Sequence, residues 1–156
     1  MRLQLLLLAT FFFLSNSNPL HKDAILKIDK KGNILGLPQE YRKATFNLKN
    51  KHLRIKDKKI TFPRCVREYF ETSNISNIRV LTSWCHSKKI MPYYIIFEIY
   101  QEKKARKSKI LINLETLELI KIEVSVLKEK RTSSGEVELE NSCLERYKQS
   151  IRSVKL

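Results

Sequence analysis

Apolar positions in this chain recur at two periods, and its elements change where the period changes. Ala24-Ile25-Leu26-Lys27-Ile28 and Ile34-Leu35-Gly36-Leu37 flank Asp29-Lys30-Lys31-Gly32-Asn33. Two apolar runs around such a turn predict a hairpin, with Gly32 and Asn33 supplying its left-handed backbone. Ala44, Phe46 and Leu48 alternate with polar residues, as do Leu53 and Ile55, and Ile60 and Phe62 continue after Asp57-Lys58. A period of two predicts half-buried strands with one wet face. Pro63 then changes the regime, because its fixed φ suits a first helical turn and holds Phe62 extended. Val66, Tyr69 and Phe70 recur at three and four, which predicts a short helix from Pro63 to about Glu71, ended by Thr72-Ser73-Asn74.

The second half reads as a meander. A strand is expected around Ile78 to Trp84 and a loop from Cys85 to Pro92. Tyr93-Tyr94-Ile95-Ile96-Phe97-Glu98-Ile99-Tyr100 is apolar on nearly both faces, which predicts a central strand. The charged run Glu102 to Lys107 is a solvated turn before the returning strand of Ile110, Ile112 and Leu114. From Glu118 to Val126, the residues Ile120, Ile122, Val124 and Val126 fall on one face. Residues 128–138 have no core-forming pattern and read as a polar linker. Leu139, Cys143, Leu144, Tyr147 and Ile151 then share one face of a short amphipathic helix, either docked on the sheet or loose, within a terminal segment 139–156 that ends in a basic tail. The expected fold is therefore α+β: a mostly antiparallel sheet of five to seven strands, one short helix from Pro63 and a C-terminal helix, with the main domain over 18–127.

The first seventeen residues follow another rule. Arg2 precedes the twelve-residue apolar run Leu3 to Leu14, and Ser15-Asn16-Ser17 ends it, so residues 1–17 read as a cleavable secretory signal. The run is shorter than the roughly 20 residues of a membrane span. Residues 18–156 contain no other apolar stretch of that kind, so no transmembrane span is expected in the mature chain. The expected location is secreted or periplasmic. Export would place Cys65, Cys85 and Cys143 in an oxidising compartment, where thiols pair. Cys65 with Cys85 is the expected bridge, since both lie in the folded segment, and closing that loop would contribute about 3 kcal/mol.

Charge sharpens the picture more than composition does. Lys and Arg number 31 against 16 Asp and Glu, a net of +15, and loss of Arg2 with the signal leaves +14. Residues 18–90 carry +11 of that and residues 91–156 only +3. The densest stretch holds Arg42, Lys43, Lys49, Lys51, Arg54, Lys56, Lys58 and Lys59 against Asp57. His52, Arg54 and Lys56 share a parity opposite to Leu53 and Ile55, a row of charge on the wet face of a strand. Such a face docks polyanions: nucleic acid, anionic glycans or membrane headgroups. It also fits a solvated lysine surface that protects an edge from aggregation. Phe46 and Phe62 have core parity, leaving Tyr41 as the one ring beside the patch for base stacking. Lys outnumbers Arg 21 to 10, and Lys is the poorer bidentate phosphate ligand.

Catalytic signatures are missing. The chain has three glycines and no HExxH, GxSxG, GxGxxG or GxxxxGK[ST] pattern. Cys85 and His86 are adjacent and point to opposite sides of an extended chain. Cys65, in the first helical turn beside Arg64 and Arg67, is the better thiol candidate, with His52 or His86 as its base. His21, His52 and His86 are too dispersed to predict a metal site, and no cofactor is expected. Asn74-Ile75-Ser76 is an N-glycosylation sequon if the export route is eukaryotic. Trp84, Tyr93 and Tyr94 flank the Cys85–Pro92 loop and would wall a small aromatic site there. The leading expectation is an exported, non-enzymatic binding or interaction module with a protein or glycan partner. Polyanion or anionic-surface binding through Arg42–Lys59 is the alternative, and a Cys65-dependent enzyme stands third.

Overall fold

The computed structural model describes residues 24–37, 39–47, 49–70, 75–84, 90–128 and 131–154. The expected signal segment, His21, Asn74 of the sequon, Cys85 and His86 lie outside the described residues. Strands β1 (Ala24–Ile28) and β2 (Ile34–Leu35) are followed by β3 (Thr45–Asn47), β4 (His52–Ile55) and β5 (Lys58–Thr61). After helix α1 (Arg64–Arg67) come β6 (Ile75–Trp84), β7 (Ile90–Gln101), β8 (Arg106–Asn113), β9 (Leu119–Lys128) and β10 (Arg131–Glu136). Helix α2 (Asn141–Gln149) and strand β11 (Ile151–Ser153) complete the order.

The α+β class and the antiparallel meander are as expected, but the strands divide between two sheets. One has seven strands in the order β10-β9-β8-β7-β6-β1-β2, and the other four, in the order β11-β5-β4-β3. Strand β7 is the central strand of the larger sheet, as its two apolar faces predict, and it begins at Ile90, inside the expected loop. The sheets share one core. Phe46 of the smaller sheet meets Phe97 of the larger at 4.8 Å between ring centroids, and Phe62, Phe70 and Tyr147 stack around them. Leu53, Ile55 and Ile60 from one side and Ile95, Ile110, Ile112 and Ile122 from the other fill the rest.

Local chemistry explains the elements. In the β1–β2 turn, Asp29 Oδ1 accepts from the Lys31 and Asn33 backbone N–H groups, and Oδ2 accepts from the Asn33 amide. Those bonds hold the Asp29 carboxyl below its ordinary pKa. Gly32 alone of the expected pair is left-handed, at φ 90°, and a Cβ there would meet the Phe46 carbonyl oxygen at 2.7 Å. Glycine is required because the Gly32 carbonyl accepts from Phe46 N–H at close approach and ties β1–β2 to the smaller sheet. Pro63 opens α1 with φ −64°, and its carbonyl accepts from Val66 and Arg67.

Four expectations are corrected. Ile120 does not join Ile122 in the core: Leu111 pairs with Lys121 while Ile112 pairs with Leu119, so Ile120 is the extra residue of a bulge and stands 44% exposed. The segment read as a linker contains β10, a strand of the larger sheet. Its Thr132 to Glu136 side chains are all exposed, so no alternation marks it. Ile151 is not on the helix, which ends at Gln149, but in β11, and the pairing of β11 with β5 docks the terminal segment. Finally, Cys65 is bonded to Cys143, not Cys85, across a sequence separation of 78. The bridge joins α1 to α2, which carries Cys143 on its buried face with Tyr147, two elements that only the tertiary fold brings together.

Candidate anion-docking face

The register of the smaller sheet sorts its side chains into rows. Phe46, Leu53, Ile60 and Ile151 stand side by side and point into the core. One step along the pleat, Thr45, Arg54, Lys59 and Arg152 form the next row, and a one-residue step turns side chains to the opposite face. Asn47, His52 and Thr61 form a further row on that same outer face. The outer face thus presents Arg54, Lys59 and Arg152 in one line, flanked by hydroxyl, amide and imidazole groups. None of these positions is acidic, and among the described residues none of the three cations enters an ion pair. Beyond β3 the line continues through the bridge of Thr45 to Asn33, beside the exposed Lys30 and Lys31.

His52 reports on this field. Burial, and then the charge of Lys59, hold its imidazole below the ordinary pKa. Partial burial beside a lysine disfavours one more positive charge.

The eight basic residues expected to act together separate into four pairs. Arg54 and Lys59 lie in the outer row. Lys56 leaves it because the backbone is left-handed there, at φ 52°, which sends its ammonium 4.3 Å over the Tyr41 ring and 3.6 Å from Glu115 Oε1. Lys58 donates to the Glu115 backbone carbonyl at 2.8 Å, and the Tyr41 hydroxyl donates to Glu115 Oε1 at 3.0 Å. These contacts clasp the smaller sheet to the β8–β9 turn, and Tyr41 is buried rather than offered to a nucleobase. Arg42 and Lys43 follow the short 3-10 turn Gln39–Tyr41 and are exposed. Lys49 and Lys51 sit in the β3–β4 turn, where partial burial lowers the Lys51 pKa.

Sequence reasoning missed Arg152. Its only signal was the short alternation Ile151-Arg152 after the helix, which a two-residue pattern cannot distinguish from a tail.

The larger sheet's outer face is built differently. Glu98, Lys109, Glu123 and Glu136 are cross-strand neighbours on β7, β8, β9 and β10. Lys107 and Lys109 approach Glu98 at 3.4 and 3.9 Å, and Lys121 reaches Glu123 at 2.6 Å and Glu136 at 3.1 Å. Three lysines there answer three glutamates.

Other chemistry is sparse. The Cys65 sulfur is committed to the disulfide, so a thiol nucleophile at that position would require the bond to open. Among the described residues, no three His, Cys, Asp or Glu side chains converge as metal ligands. No helix of the described residues is long and apolar enough to cross a membrane. A groove of about 350 Å³ runs between the β9 bulge and α2, floored by Leu119, Ile120, Val137, Leu139 and Leu144. No known family model, no curated protein sequence and no solved structure matches this chain.

Proposed function

We propose that this protein is an exported, non-enzymatic binding module that docks an anionic partner on the outer face of its four-stranded sheet. The observation that carries the reading is the line of Arg54, Lys59 and Arg152, three cations on adjacent strands without a carboxylate partner among the described residues. Clustered like charges raise the energy of the free protein, and an anionic ligand relieves that repulsion as it binds. The paired ladder on the other sheet supports the reading by contrast, since its cross-strand lysines face glutamates and this row faces none among the described residues. Export is supported by the apolar run from Leu3 to Leu14 and by the Cys65–Cys143 disulfide, a bond that persists in oxidising compartments.

Elution from an immobilised polyanion at rising salt tests the reading. R54E/K59E is expected to elute at clearly lower salt than K103E/K104E, which makes the same change of net charge on an exposed turn of the larger sheet. Equal elution of the two variants would reduce the effect to bulk charge and end the proposal.

A further inference from the structure

Resting on the docking face just proposed, we infer that its occupant is a linear sulfated polysaccharide, lying across the strands along the row from Arg152 through Lys59 and Arg54 to Thr45. Neighbouring strands stand about 4.8 Å apart, so the line from Arg152 to the bridged Asn33 crosses four spacings and measures about 19 Å. The three cations stand in single file over its first two spacings, about 10 Å, and neutral Thr45 and Asn33 extend it, with the Asn33 amide held by the Asp29 carboxylate at the far end. A polysaccharide chain offers one rail of charge to such a file, whereas duplex DNA offers two phosphate rails separated by a groove of about 6 or 12 Å.

The face also lacks what other polyanions require. Bases of a single strand stack on exposed rings, and here Phe46 and Phe62 point inward while Tyr41 is buried beneath Lys56. A lipid surface is held most firmly by charge together with an apolar anchor. Among the described residues, the exposed large apolar side chains Ile25, Leu35, Ile120 and Leu127 all belong to strands of the larger sheet. What the face does supply is Thr45, Asn47 and Thr61 beside the cations, neutral groups that exchange hydrogen bonds with sugar hydroxyls and sulfate oxygens. Arg at two of the three positions adds the planar fork that holds an oxyanion by two parallel bonds.

The experiment is a titration of the full mature chain with a heparin-derived hexasaccharide, followed by calorimetry and by amide chemical shifts. A sulfated disaccharide, phosphatidylserine vesicles and a short DNA duplex serve as the comparison probes. The hexasaccharide is expected to bind with shifts confined to β3, β4, β5 and β11, and to bind more tightly than the disaccharide. With three contacts and the shallower salt slope of a single charged strand, affinity should fall about 20-fold between about 50 and 200 mM salt. R54E and R152E should each weaken binding about tenfold or more, while K103E/K104E leaves it within about twofold. Because β11 is an edge strand, R152E is read together with R54E on a central strand, and both are checked for native chemical-shift dispersion. Binding of vesicles or duplex through Arg54 and Arg152, with no hexasaccharide binding, would overturn the sugar assignment and leave the docking face standing. If no probe loses affinity on R54E or R152E, both the assignment and the face fall.

Discussion

The two sheets enclose one core and treat their outer lysines in opposite ways. On the larger sheet, Lys107, Lys109 and Lys121 each face a glutamate, and Glu98 is itself buried, at 4% exposure. On the smaller sheet, Arg54, Lys59 and Arg152 face one another across the ladder. Cross-strand neighbours of opposite charge stabilise a sheet and like charges destabilise it. The ladder on β7–β10 therefore contributes to holding the fold, and the row on β4, β5 and β11 costs stability that a ligand would recover. The difference is a physical criterion for function that no motif supplies: charges placed for stability come paired, and charges left bare on a rigid face are available to a partner.

The largest expected effect tests what keeps the bare row assembled. Arg152 reaches it on β11, which follows α2, and α2 is held to α1 by Cys65–Cys143. A bridge across 78 residues restricts the unfolded chain by about 4.5 kcal/mol in the loop-entropy treatment. Cys143→Ser should lose most of that in chemical denaturation, and β11 and β5 amides should lose exchange protection before those of β7 and β8. Uniform loss across both sheets would show that the bridge does not act selectively on the smaller one.

The next effect compares the faces directly. Lys107→Ala with Lys109→Ala removes two ammonium partners of a buried carboxylate and should cost about 1–3 kcal/mol. Arg54→Ala with Lys59→Ala should change stability by no more than about 0.5 kcal/mol, or raise it, because repulsion is relieved. If the second pair proves as costly as the first, the row carries structural partners and the contrast is broken. A smaller change probes how α2 is seated. Tyr147 is buried, and its hydroxyl donates to the Leu117 carbonyl at 2.6 Å, at a residue held left-handed with φ 60°. Burial, with the nearby Glu118 carboxylate, raises the Tyr147 pKa and keeps that donor protonated. Tyr147→Phe should cost about 1–2 kcal/mol by leaving a buried acceptor unpaired.

Much of this was legible in the chain. Strand β7 announced its central place by apolar residues of both parities, and Leu53 and Ile55 set the outward direction of His52 and Arg54 correctly. What stayed hidden has particular causes. A single left-handed residue, Lys56, withdrew a lysine from the row that parity had assigned to it. A single bulge turned Ile120 out of the core. Strand β10 has no inward face, so it carries no period to read. The Cys65–Cys143 bond and the arrival of Arg152 beside Lys59 depend on pairing across most of the chain, where local pattern holds no information.

Acidity should separate the two faces most finely, since their groups titrate in different ranges. His52 has a lowered pKa, so between that value and the ordinary imidazole value the folded state binds fewer protons than the unfolded state. Stability therefore declines as pH falls through the ordinary histidine range and levels off below the folded value. Glu123 also has a lowered pKa, chiefly from its hydrogen bond with Lys121, helped by the charges of Lys121 and Lys109. Its contribution is present above the ordinary carboxylate range and is lost as pH falls through the lowered value. Thermal melts across pH should show two separate declines, the upper one removed by His52→Gln and the lower one reduced by Glu123→Gln. A sulfated chain on the outer row would favour the imidazolium form of His52, so hexasaccharide affinity should rise as pH falls through the imidazole range. Loss of that rise in His52→Gln would tie the titration to the bare face, and an unchanged rise would place the responding group elsewhere.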